Sequence, residues 1–252
     1  MRYFIRLAYN GAKYHGWQRQ PNDISVQECI EDALSKILRQ KIEIVGAGRT
    51  DTGVNASTMF AHFDCSEFSP EQKQKLIIGL NGILGRDIAI YDIIPVKADA
   101  HARFDALWRT YHYYVHTVKS PFQYPFSWLA PKDLDYDLMN KAAVLLLETE
   151  DFTSFAKLHT DAVTNICKVT RAEWVKCDKT GGYVFIITAN RFLRNMVRAV
   201  VGTLVDVGRH KISISDFENI IRKKDRCEAG TSMPGNALFL QDIVYPEDIF
   251  LK

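Results

Sequence analysis

One carboxylate stands out in the sequence by its setting. Residues 46–53 read GAGRTDTG, with Asp51 on a short segment flanked by Gly46, Gly48 and Gly53. A dinucleotide fingerprint would need a third glycine where Asp51 stands, and a phosphate loop would need Lys and Ser/Thr where Val54 and Asn55 follow. Both phosphate readings fail at named residues. An ordinary Asx turn, with the carboxylate bonded to nearby backbone, is the bland alternative. Arg49 lies two residues earlier, on the same side of an extended chain, and can hold the carboxylate ionised. Gly46 and Gly48 remove bulk where a substrate backbone could approach. An ionised, positioned carboxylate is the minimum equipment for nucleophilic catalysis at carbon.

A second group is cationic. In RFLRNMVRAVVGTLVDVG (191–208), helical spacing puts Leu193, Met196, Val197, Val200, Val201 and Leu204 on one side. Arg191, Arg194 and Arg198 then share an arc of about 60° on the other. Residues 189–226 hold nine Lys/Arg against four Asp/Glu, a local +5 in a chain of formal charge +2. Concentrated charge of this kind suits a polyanion. A third group is aromatic. RTYHYYVH alternates like a strand, with Tyr111 and Tyr113 on one face and His112, Tyr114 and His116 on the other. One face belongs to the core, and the other could offer a ring to a base. HGWQRQP adds Trp17, Gln18 and Arg19 on a loop. No HExxH, Cys/His cluster, GxSxG elbow or paired carboxylate motif is present, which speaks against metal, acyl-transfer and glycosidase chemistry.

The elements that must carry these residues follow from periodicity. Strands are expected at 2–9, 41–46, 56–65 and 87–94, with helices at 25–39 and 69–84 between them. Ser25 with Glu28 reads as a capping box, and Ser69-Pro70 as a helix start. The same β-α-β-β-α-β order repeats: a strand at 107–118, a helix at 135–148, strands at 165–176 and 183–190 around DKTGG, a helix at 191–206 and a strand at 237–245. A short helix opened by Ser215 and Glu218 precedes that last strand. The expected fold is α+β, with two ferredoxin-like halves, antiparallel sheets and an active-site cleft between them. Residues 1–104 would carry the Asp51 loop and residues 105–252 the tyrosine strand and basic helix.

Five cysteines, odd in number and without a CxxC pair, argue for a reducing cytosol. The start, MRYFIRLAYNG, is too short and charged for a signal peptide, and Arg198 interrupts the longest apolar helix. A soluble cytoplasmic protein is expected.

With these residues assembled, the chain resembles the tRNA pseudouridine synthase A family over nearly its whole length. The resemblance rests on YNGAKYHGWQRQP, GAGRTDTGVNA, ARFDALWRTYHYYV, DFTSF, FLRNMVRAVVG and ALFLQDIVYP, in that order. Thr52 and Asn55 depart from the DAGVHA that many members read. The resemblance implies an isomerase that turns uridine into pseudouridine at positions 38–40 of the tRNA anticodon arm, with no cofactor and no metal. It implies Asp51 as nucleophile, attacking either the uracil ring or the sugar carbon. Arg49 would help extrude the target nucleotide, Tyr111 would pack on the flipped uracil, and Arg198 would pair with Asp51 across the cleft. Trp17, Gln18, Arg191 and Arg194 would bind the substrate, and the enzyme would act as a homodimer bridged by tRNA. The same chemistry at another RNA position, or an RNA-binding module without catalysis, are the alternatives.

Overall fold

The computed structural model describes residues 1–158 and 163–251. The chain is an α+β protein whose strands pair mostly antiparallel, with five α-helices among the described residues. It divides into two compact units, Met1–Leu107 with Leu240–Lys252, and Trp108–Phe239.

In the first unit, β1 (Arg2–Tyr9) pairs antiparallel with β3 (Asn55–Asp64) on one side and β4 (Ile88–Val96) on the other. Short β2 (Val45–Gly46) lies against β3. Helix α1 (Val26–Leu38) starts at Ser25, whose hydroxyl accepts from the Glu28 amide, and buries Val26, Ile30, Ala33 and Leu34. Helix α2 (Pro70–Ile83) has the full capping box between Ser69 and Gln72, with proline at its start. The strand expected at 41–46 shortens to two residues. Its amides turn to helix α1 instead: Ile42 donates to Ser35 Oγ (2.9 Å) and Ile44 to Glu31 Oε1 (3.0 Å), while both isoleucine side chains are buried. Alternating apolar residues signal burial at every second position, and here an irregular segment satisfies that pattern.

In the second unit, β5 (Trp108–His116) pairs antiparallel with β8 (Gly182–Ala189), which pairs with β7 (Val169–Cys177). A two-residue strand not expected from sequence, β6 (Trp128–Leu129), runs parallel to β5. Helix α3 (Tyr136–Ala143) tightens into a 3-10 turn at Val144–Leu147. Helix α5 (Ile214–Lys223) opens with a capping box between Ser213 and Asp216. That corrects the Ser215/Glu218 assignment, since Glu218 pairs with Arg222 one turn on. The final strand is β9 (Leu238–Val244).

The larger correction concerns α4, which spans Met196–Gly208 and starts five residues later than expected. Asn195 sits in the left-handed region (φ 67°) and breaks the helical path. It is held there by Nδ2 donating to Ser232 Oγ at 2.6 Å. Helix α4 is buried nearly all round, from Met196 to Gly208, so it is a core helix rather than one with a solvated arginine face. Among the described residues, no helix is long and apolar enough to cross a membrane.

Candidate active site

Asp51 lies in the first unit on a loop fastened at both ends. Before it, Thr50 is buried, its hydroxyl 2.8 Å from the Tyr9 hydroxyl, and its carbonyl accepts from the Trp17 amide at 3.3 Å. After it, the Val54 amide donates to the Asp51 carbonyl at 3.1 Å and closes a turn. Gly53 takes φ 75° in that turn, a dihedral that glycine adopts without steric cost. Its amide donates to the Tyr14 carbonyl (3.3 Å). Asn55, 1% exposed, then accepts from the Gly11 amide at 2.9 Å. The segment 11–16 can press this closely only because it is glycine-rich. A Cβ at Gly11 would stand 2.1 Å from the Val54 carbonyl oxygen, and one at Gly16 2.3 Å from that of Thr50. Asp51 is half-buried on this frame and Arg49 is exposed. A carboxylate on a loop fastened at both ends has the fixed placement that nucleophilic chemistry would require.

Trp17 is corrected by the structure. It is 2% exposed, and a Cβ at Gly46 would lie 2.3 Å from its Nε1. Its ring centroid is 6.1 Å from that of Tyr9. The indole is therefore a floor under the Asp51 loop and offers no face to a base, while Gln18 beside it is exposed. Gly46 likewise yields space to Trp17 rather than to a substrate. Gly48 has nothing within 4 Å of its Cβ direction. Arg19 pairs with Glu28 (3.4 Å) and Glu31 (3.3 Å) of helix α1. Of the two family departures, Asn55 is a structural clamp and Thr52 is exposed.

Tyr111 and Arg198 lie in the second unit. The Tyr111–Tyr113 face of β5 is the buried one, with Tyr111 9% exposed and met edge-on by Phe192 at 5.0 Å. On the other face His112 and Tyr114 are half-buried, their Nδ1 and hydroxyl 3.2 Å apart. His116 is buried and bonded to Ser127 at 2.7 Å.

Arg198 is set by a strap of chain at 229–233 that has no periodic pattern. Its Nε donates to the Met233 carbonyl at 2.6 Å, and the Met233 amide donates back to the Arg198 carbonyl at 3.1 Å. The strap is tied by the Gly230 amide to Thr203 Oγ1 (2.9 Å) and by Arg226 to Ser232 Oγ (2.8 Å). It crosses α4 at Gly202, where a Cβ would stand 1.9 Å from the Thr231 carbonyl oxygen. A glycine inside an apolar helix was the one available signal of that close approach. The Arg198 charge also acts on buried Tyr113: burial drives that hydroxyl well above its ordinary range, and the guanidinium opposes the rise.

Arg191 and Arg194 do not share a helical arc with Arg198, because both precede the helix. Arg191 is half-buried, and Arg194 is exposed with its carbonyl accepting from the Lys157 amide. Much of the basic concentration at 189–226 is also neutralised locally. Lys211 pairs with Asp206, Arg222 with Glu218, Lys223 with Glu228 and Lys224 with Asp151. Among the described residues, no three His, Cys, Asp or Glu side chains gather as a metal-binding group.

Comparison with known proteins gives this arrangement a class. The family profile described as tRNA pseudouridine synthase matches residues 142–246. Proteins named tRNA pseudouridine synthase A from Bacteroides fragilis and Porphyromonas gingivalis are 56% and 55% identical to this chain, each over 99% of it and over 98% and 99% of their own lengths. One of the same name from Colwellia psychrerythraea is 40% identical, over all of this chain and 96% of its own. The chain belongs to the tRNA pseudouridine synthase A family, isomerases that convert uridine to pseudouridine.

Proposed function

We propose that this chain isomerises uridine to pseudouridine at positions 38–40 of the tRNA anticodon arm, with Asp51 as nucleophile on a flipped-out base. The observation that carries the reading is the clamped loop. A half-buried carboxylate is held between the Thr50 and Val54–Asn55 anchors inside the GRTD segment, in a chain that matches named synthases end to end. In this reaction the bond from the sugar carbon to uracil nitrogen breaks, the base turns, and a bond from the sugar to ring carbon 5 forms. The hydrogen on carbon 5 leaves to solvent and the freed ring nitrogen takes up a proton, so atoms balance without an oxidant or an external energy source. Asp51 attacks the ring or the sugar carbon and leaves when the new bond is complete. Arg49 fills the place of the extruded nucleotide, Tyr111 packs on the uracil, and Arg198 is the accompanying cation. Arg191, Arg194 and Gln18 contact the RNA. Each unit is read as a ferredoxin-like half, which the β4-β1-β3-β2 and β5-β8-β7 orders support. Homodimerisation belongs to the same proposal and is read by light scattering.

Transfer RNA carrying tritium at uracil carbon 5 tests the proposal. Wild-type protein should release tritium, and mapping should place the new pseudouridines at 38–40. Asp51→Asn should abolish release while tRNA binding persists. Release mapped elsewhere would redirect the assignment to another RNA position, and full activity in Asp51→Asn would remove the nucleophile.

A further inference from the structure

We propose that Phe104 is a stacking platform for a nucleobase of the RNA substrate, presented by the turn His101–Asp105 of the first unit. The inference rests on the RNA-acting reading above. Phe104 is 74% exposed, an expensive place for a phenyl ring that touches water on most of its surface. What surrounds it is built. The His101 ring lies against it at 4.2 Å between centroids and 31° between planes, and the Arg103 guanidinium is 5.7 Å from its centroid.

The turn beneath is fastened at successive residues. The His101 amide donates to Asp105 Oδ2 (2.7 Å), and the Asp105 amide donates to the His101 carbonyl (3.1 Å). His101 Nδ1 accepts from the amides of Arg103 (3.1 Å) and Phe104 (3.3 Å). The Ala102 amide donates to His62 Nδ1 (3.1 Å), and its carbonyl accepts from the Tyr245 hydroxyl (2.6 Å). Arg2 Nη1 holds the Ala100 carbonyl at 3.1 Å. The exposed ring is therefore pre-positioned, and a loop that merely failed to bury its phenylalanine would not carry this many bonds.

The occupant follows from the chemistry. A protein partner selects a broad apolar patch with aromatic anchors and few charges at its centre. Here an exposed ring is backed by an imidazole and has a guanidinium over it, the aromatic–arginine combination on which unstacked bases stack. Stacking of one base on one aromatic ring changes affinity by about fivefold to a hundredfold.

The experiment measures Kd for unmodified tRNA, and KM and kcat by tritium release, for wild type, Phe104→Ala, Phe104→Leu and Phe104→Trp. Phe104→Ala and Phe104→Leu should each weaken Kd at least about fivefold and raise KM more than they lower kcat. Phe104→Trp should stay near wild type. The slope of log Kd against log salt should not change, because no phosphate contact is lost. Phe104→Leu keeps the apolar bulk, so it separates loss of the π-face from any disturbance of the turn. Wild-type affinity in Phe104→Leu overturns the platform, as does a change in oligomeric mass with tRNA affinity intact, which would assign the ring to a protein contact. If wild type releases tritium and the variants bind normally, only the platform fails. If wild type releases none, the RNA-acting reading fails first and takes the platform with it.

Discussion

Tyr113 carries a fully buried hydroxyl that no group among the described residues satisfies. A buried, unpaired polar atom costs about 1–3 kcal/mol, whereas its removal leaves the ring's packing intact. Tyr113→Phe should therefore gain about 1 kcal/mol and melt about 2–4 °C higher. A lower melting temperature would show that the hydroxyl has a role of its own near Arg198. Asn55 sits at the opposite extreme. Its Oδ1 is the acceptor for the buried Gly11 amide, so Asn55→Ala should cost about 1–3 kcal/mol in a denaturant titration. It should also lower tritium release, because one of the two anchors of the Asp51 loop is lost. Wild-type stability in that variant would mean the clamp contributes nothing. At this scale the sequence marked the glycine-flanked loop that carries Asp51 and Arg49, but not the part Asn55 plays in clamping it. It did not indicate that Trp17 faces inward, because a tryptophan on a glycine-rich loop reads alike whether its ring is a floor or a platform.

Elements were legible where local chemistry and burial agree. Strand β1 and helices α1 and α2 follow their apolar period and their Ser caps, and strand β9 its run of apolar residues. Helix α4 starts later than its pattern suggests because the preceding turn has a helical period but a tertiary constraint: Asn195 is drawn to Ser232 and leaves the helical region. The strap that does this has no period for a sequence reading to detect. The Asp51 loop gives a sharper contrast, since Gly46 and Gly48 look alike in sequence. Gly46→Ala would drive a Cβ into Trp17 at 2.3 Å from Nε1, and overpacking of this kind costs about 1–3 kcal/mol. Gly48→Ala meets nothing within 4 Å, so its melting temperature should match wild type or exceed it. If RNA approaches along Gly48, that variant should raise KM for tRNA with stability unchanged. Equal stability losses at both positions would show that the Trp17 ring does not press on Gly46 more closely than any group presses on Gly48.

At the scale of the whole molecule, both units carry histidines that are held neutral by burial. In the first, burial and the neighbouring His101 lower His62 to about 4, and burial also lowers His101. In the second, burial lowers His112, with Arg171 and Lys179 acting in the same direction, and it lowers His116. The reason is visible in the bonds: Nδ1 of His62 and of His101 accepts backbone amides, which a protonated nitrogen cannot do. An unfolded histidine takes its proton near pH 6.5, so below that pH the unfolded chain binds more protons than the folded one. The stability these groups permit is complete above about pH 6.5 and is lost as pH falls towards the folded values, near 4 for His62. His62 alone accounts for about 2 kcal/mol between pH 7 and pH 5. Urea titrations over that range should show the midpoint falling with acidification, with proton uptake on unfolding. His62→Asn, which keeps an acceptor for the Ala102 amide but cannot titrate, should flatten the decline. A midpoint independent of pH from 7 to 5 in wild type would mean that these imidazoles reach water and proton in the folded state, and the turn that carries Phe104 would then be looser than its hydrogen bonds indicate.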